Sequence, residues 1–266
     1  MHLPDSSRLS TVAAMILLSY TLLPFMRIAA RPISFSVFGF LIDLRLNYYS
    51  IVSILSAAMA AFGMDWLLQE HPQRGGKSTI PNLILPALTA AALGFPLGLL
   101  EVSASWWVVM LLGSLLLVLV FVAEYISIDS LDVRYPLALM VLSGICYSLL
   151  LIIAIVVRLS GLRLYLIFLF LPTAMAFFCL RILQFRVGGR WRFQWTAAVT
   201  LVFTQVLIAL YYWPLSPVRF GLFLLGPAYA LIGTAAGLEE KRDLRNIYLE
   251  PFIIMGVIWL IGIFIA

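Results

Sequence analysis

Residues Ser105–Ile126 read SWWVVMLLGSLLLVLVFVAEYI, with no ionisable side chain before Glu124. A helix rises 1.5 Å per residue, so about 20 apolar residues are needed to cross the hydrocarbon core of a bilayer. This stretch is long enough, is apolar on every face, and opens with two tryptophans, a residue that gathers at membrane interfaces. Eight further stretches read the same way: Leu9–Met26, Tyr48–Leu68, Ile80–Leu100, Tyr135–Val157, Leu162–Leu183, Trp195–Trp213, Val218–Leu238 and Ile247–Ala266. The expected fold is an all-α polytopic membrane protein, with about nine transmembrane helices in one bundle and a single domain over 1–266.

Composition agrees with this reading. Of 266 residues, 64% are hydrophobic and only 11% charged, and the mean hydropathy is +1.08. A globular chain carries about a quarter charged residues. A water-soluble enzyme, a nucleic-acid binder and a disordered tail are all excluded. The formal charge of +5 then reflects basic loops at the membrane surface. The leader before the first span has Arg8 offset by Asp5, and no small-x-small site precedes Arg27. An uncleaved first helix is expected.

Lys and Arg positions set the orientation. Arg8, Arg74, Lys77, Arg134, Arg181, Arg186, Arg190, Arg192, Lys241, Arg242 and Arg245 fall on the N-terminal side. Arg27, Arg31, Arg45, Arg158, Arg163 and Arg219 fall on the other, 6 against 11. The positive-inside rule places the N-terminus in the cytoplasm and the C-terminus outside. In the first external loop, Ile33, Phe35 and Val37 alternate with serines, and Phe40, Ile42, Leu44 and Leu46 continue the alternation beyond Phe38-Gly39. Period 2 on both sides of a glycine predicts a small extracytoplasmic β-hairpin within 33–47.

A spacing of 86 aligns Leu85-Pro86 with Leu171-Pro172 and Tyr125 with Tyr211. On this alignment, spans 80–157 and 162–238 would match as a weak inverted repeat of three helices each, an architecture of secondary transporters. Prolines 86, 96, 172 and 227 are expected to break their helices and free backbone groups to line a cavity.

The middle of every span lacks ionisable groups, which argues against a proton relay at the midplane. Charge is confined to the span ends, at Asp65, Glu124, Arg181 and Glu250. Asp65 opposes the dipole at a helix C-terminus and is expected to pair with Arg181 or a loop arginine. Glu124, Asp129 and Asp132 form an acidic patch without the spacing of a metal-dependent transferase. The run Arg181–Trp195 interleaves bases and aromatics, and Arg186, Arg190, Trp191 and Arg192 are expected at lipid headgroups. Glu239–Arg245 alternates in sign and reads as a solvated, salt-bridged loop. The Gln73–Thr79 loop resembles the end of a Walker A motif, but His71 stands where its first glycine is needed. Cys146 and Cys179 lie in apolar runs, and His2 and His71 cannot form a haem pair. No metal and no cofactor are expected.

Two polar stripes remain. Ser50, Ser53, Ser56, Ala60 and Gly63 run down the second span, a pattern of close helix packing. Thr196, Thr200 and Thr204 repeat every four residues on the seventh span, with Gln205 beside them. With Tyr147, Tyr229 and Thr234 they are candidates for a polar pocket, and Gln205, Thr200, Thr204, Tyr147 and Tyr229 are the expected substrate contacts. The leading functional expectation is a carrier for a small or amphiphilic solute. The alternatives are a non-catalytic accessory or assembly subunit of a membrane complex, and a lipid-modifying enzyme. Expected partners are membrane lipids and other membrane subunits, not nucleic acid.

Overall fold

Helices apolar on every side have no hydrophobic face to turn inward, so small and hydroxylated residues decide which side packs. The computed structural model of the protein shows this in the serine-bearing second span. It describes residues 4–25, 31–37, 40–46, 48–71, 79–129, 131–161, 163–187, 189–240 and 244–265. The elements are α1 (Ser6–Thr21), a 3-10 turn (Leu23–Phe25), β1 (Arg31–Val37), β2 (Phe40–Leu46), α2 (Tyr48–Leu68), α3 (Ile80–Leu99), α4 (Ala104–Ile126), α5 (Tyr135–Leu159), α6 (Leu164–Arg186), α7 (Phe193–Tyr211), α8 (Pro217–Glu239) and α9 (Leu244–Phe264). Among the described residues, nine helices are long and apolar enough to cross a membrane. The chain is an all-α, multi-pass membrane protein. The two strands pair antiparallel, with Arg31 opposite Leu46 and Val37 opposite Phe40. Most of the Walker-like loop, the Lys241–Asp243 segment and the hairpin side chains lie outside what is described.

The helices form two compact units, residues 1–138 and 139–266. In the first, α1 packs on α2 and α4, α2 on α3, and α3 on α4. Its core takes Val12, Ile16 and Tyr20 from one face of α1, four residues apart. The serine stripe of α2 turns inward with Ser53, Ser56, Ala60 and Gly63 buried, while Ile54, Leu55 and Phe62 stay exposed. Ser19 and Ser56 share a hydrogen bond of 2.8 Å, and the Tyr20 hydroxyl donates to the Ala90 carbonyl at 2.5 Å. α4 buries Trp106, Met110, Gly113, Leu117 and Phe121 and turns Trp107, Leu111, Leu115 and Leu119 outward.

In the second unit α8 is central. It packs on α6, α7 and α9, and a β-carbon added at Gly221 would meet Ile155 and Leu151 of α5 at 2.8 and 2.9 Å. The expected breaks at the prolines are absent. Helix α3 runs unbroken through Pro86 and Pro96, α6 through Pro172 and α8 through Pro227. At Pro227 the physical reason is visible. A proline removes the N–H that would bond the carbonyl four residues back, here Phe223. The indole Nε1 of Trp259 donates to that carbonyl at 3.2 Å. Gly226 makes room for the ring, since a β-carbon there would lie 2.9 Å from Trp259 Cδ1. Trp259→Phe keeps the packing and removes the donor. It is expected to lower stability by about 1–2 kcal/mol, read as a reduced Tm in detergent; an unchanged Tm would show that the Phe223 carbonyl needs no partner.

The far ends of these helices are tied by arginines. Arg158 donates to the Tyr211 and Trp213 carbonyls at 3.1 and 3.2 Å, past the end of α7. Arg219 donates to the Ile265 and Ile263 carbonyls at 3.1 and 3.4 Å, at the end of α9. Both cations meet the negative ends of helix dipoles.

Candidate functional site

Helices α6 and α7 lie side by side and leave an open groove of about 670 Å³, walled by Phe168 and Phe193 and floored by Thr196, Thr200, Thr204 and Gln205. A threonine in a helix ordinarily donates to the carbonyl four residues back. Thr196 does so to Arg192 at 3.0 Å, and Thr204 to Thr200 at 2.6 Å. Thr200 does not, and its buried hydroxyl has no partner. Gln205 is exposed to the groove and makes no hydrogen bond among the described residues. From Phe193 to Gln205 the axis rises roughly 18 Å, so the groove runs from one end of α7 past its middle. The span window of α7 is only 28% buried, against 56% for α6, so α7 leaves most of its surface outward.

The basic segment joins the groove at Phe193. Glu239 holds it: the carboxylate accepts from Trp195 Nε1 at 2.6 Å and pairs with Arg192 at 3.0 Å. Glu239 was expected in a solvated loop; its side chain is only 18% exposed and serves instead as a clamp between α7 and α8. Trp191 stacks on Phe193, ring centroids 5.7 Å apart. Arg186 and Arg190 remain exposed.

Tyr147 and Tyr229 do not join the threonine groove. Their rings meet at 5.2 Å, and the Tyr147 hydroxyl is buried without a partner. Tyr229 instead lines a small, partly open recess of about 20 Å³ with Arg186 and Glu250. Thr234 donates to Leu231 of its own helix at 2.9 Å. The polar pocket expected as one set is therefore two places.

In the first unit, the ends of α2, α3 and α4 gather the remaining polar groups. Asp65 accepts from Thr79 at 2.9 Å and from Gln69 at 3.3 Å. Glu124 is fully buried, with the Ser127 hydroxyl 3.3 Å from its carboxylate, and Asn82 donates to Ser127 at 3.2 Å. His71 packs edge-on against Tyr125 at 4.6 Å. Arg8 pairs with Glu70 and lies 4.7 Å over the Trp66 ring. Asp129 and Asp132 each accept from a backbone N–H two residues on, Leu131 at 2.9 Å and Arg134 at 2.8 Å. These local turns hold the two aspartates to their own loop, not to Glu124. In the second unit Arg181 is buried, donates to Gln184 at 2.8 Å and covers the Phe185 ring at 4.3 Å. Among the described residues no three His, Cys, Asp or Glu side chains are grouped to hold a metal ion.

Sequence reasoning missed Glu239 and Trp259. The signal for Trp259 was present as Gly226-Pro227, a cleared space beside a freed carbonyl. No curated protein and no solved structure matches the chain. The sequence pattern of the family described as "Protein of unknown function (DUF5656)" matches residues 28–265, and the chain belongs to that family.

Proposed function

We propose that the protein is a carrier for a small amphiphilic solute, which enters the α6–α7 groove from the lipid side. One observation carries this reading: the Thr200 hydroxyl and the Gln205 amide are unmatched in an otherwise apolar groove at membrane depth. An unmatched amide in hydrocarbon costs about 2–7 kcal/mol, depending on the reference state. An occupant with a hydrogen-bonding group relieves that cost, and its apolar part fits between Phe168 and Phe193. The groove's size suits a ligand site, roughly 300–1,000 Å³ in proteins generally. The absence of charged side chains among its lining residues favours an amphiphile over an ion.

The test is photolabelling in native membranes with a long-chain alcohol carrying a diazirine. Label concentrated on α6 and α7, and lost in Gln205→Leu at equal expression, is the expected result. Label spread evenly over all outward helix faces would reject the groove.

An assembly subunit is the second reading, favoured by α9. Only 17% of its span window is buried, and Phe252, Val257, Leu260 and Phe264 form an outward apolar face. Native mass spectrometry of the gently extracted chain separates the two, because a stoichiometric protein partner would displace the carrier reading.

A cytoplasmic N-terminus completes the proposal. The 11 basic residues on the N-terminal side against 6 on the other support this orientation. Reporter fusions active in the cytoplasm at the N-terminus and outside at the C-terminus are expected. The opposite pattern would invert the assignment.

A further inference from the structure

The cavity between α6, α8 and α9 holds two opposite charges that do not meet. Arg186 is the last residue of α6, and Glu250 precedes Pro251 near the start of α9. Both line the same small, partly open recess with Tyr229, and both are exposed residues. Neither Arg186 nor Glu250 makes an ion pair or a hydrogen bond among the described residues, and the Tyr229 hydroxyl has no hydrogen bond there either. The back wall is bare α8 backbone. A β-carbon at Gly233 would meet Pro251 at 3.0 Å, and one at Gly237 would meet Ile247 at 3.1 Å. The two helices thus approach closely along this wall.

A guanidinium and a carboxylate on opposing walls are both satisfied by one ligand that carries the reverse pair. An anionic group meets Arg186, and a cationic group meets Glu250. Charge-assisted hydrogen bonds of this type are about twice as strong as neutral ones. Size selects the cation. The cavity of about 20 Å³ is room for one water-sized group, since a water needs roughly 10–15 Å³ on the same measure. A primary ammonium fits and a trimethylammonium does not. Arg186, at the end of a membrane span, lies at headgroup depth.

We propose that this cavity binds a phosphoethanolamine group, with its ammonium inside against Glu250 and Tyr229 and its phosphate outside on Arg186. This site is separate from the α6–α7 groove and stands or falls without the carrier reading.

The experiment uses the full chain in phosphatidylcholine nanodiscs doped with phosphatidylethanolamine, its N-methyl and N,N-dimethyl derivatives, or phosphatidylglycerol. Lipid retained on the protein is counted by native mass spectrometry. Retention of phosphatidylethanolamine is expected to exceed that of phosphatidylcholine by about tenfold, a free-energy difference of about 1.4 kcal/mol, and to fall with each added methyl. Glu250→Gln is expected to abolish the preference. Equal retention across the methyl series, stronger retention of phosphatidylglycerol, or a preference that survives Glu250→Gln would each overturn the proposal. The methyl series needs no variant, so a misfolded mutant cannot obscure it. Glycerophosphoethanolamine added in solution identifies the source. Displacement of the lipid shows that the free headgroup suffices as ligand, and no displacement shows that the acyl chains are required; both support the cavity's chemistry.

Discussion

Gly94→Val is expected to abolish the packing of α2 on α3 and with it the folded first unit. A β-carbon built at Gly94 lies 1.7 Å from Ser53 Oγ and 2.9 Å from Ser53 Cβ. The hydroxyl could rotate away from its 2.8 Å bond to the Tyr49 carbonyl, but Ser53 Cβ is fixed to the α2 backbone. Relief therefore requires the two helices to separate. Separation would pull Ala90 from the Tyr20 hydroxyl, which joins α1 to α3. Overpacking a core usually costs about 1–3 kcal/mol and sometimes more; a β-carbon and two methyl groups added at a helix crossing belong at the upper end. The readout is the monodisperse fraction after extraction and the Tm in detergent. Gly94→Ala should be milder, and Ser53→Gly should partly rescue it, a coupling that a double-mutant cycle isolates. Wild-type behaviour of Gly94→Val would show that α2 and α3 do not approach as closely as described.

The stripe that produces this crossing was legible in advance. Ser53, Ser56, Ala60 and Gly63 read as a packing face from their spacing alone, and all four are buried. The spans were legible too, because length and apolarity suffice to identify a crossing helix. The fates of the prolines and charges were not. Pro227 signals a break locally, yet α8 continues because Trp259, thirty-two positions on, takes the freed carbonyl. Glu239 sits in a run of alternating charge that reads as solvated, yet its partners Arg192 and Trp195 lie 47 and 44 residues back. Asp65 accepts from Thr79, fourteen positions on and at the start of the next helix. Periodicity reports on one helix at a time, whereas each of these contacts depends on which helices become neighbours. The candidate groove was half legible for the same reason. Thr200, Thr204 and Gln205 appeared as a stripe, but the aromatic wall at Phe168 and the departure of Tyr147 and Tyr229 to another place required the packing.

Thr200→Val with Gln205→Leu should move stability and ligand retention in opposite directions. Both wild-type side chains carry polar atoms that no described group matches, so in the empty protein they contribute nothing that offsets their desolvation. Valine is close in shape to threonine, and leucine fills the apolar part of glutamine's volume. The double variant is therefore expected to be as stable as the wild type or more so, by about 1–3 kcal/mol on mutational scales, with a raised Tm in detergent. The occupant loses its only unmatched hydrogen-bonding contacts on the groove floor. At about 0.6–2 kcal/mol for each polar contact within a membrane, loss of two contacts should lower retention of the photolabelled alcohol roughly eightfold to several hundredfold. A role in helix packing predicts the reverse, because removing polar groups that hold α7 to α6 would lower the Tm while leaving lipid labelling unchanged. A lowered Tm with undiminished labelling would therefore reject the groove as a ligand site and assign both residues to the fold.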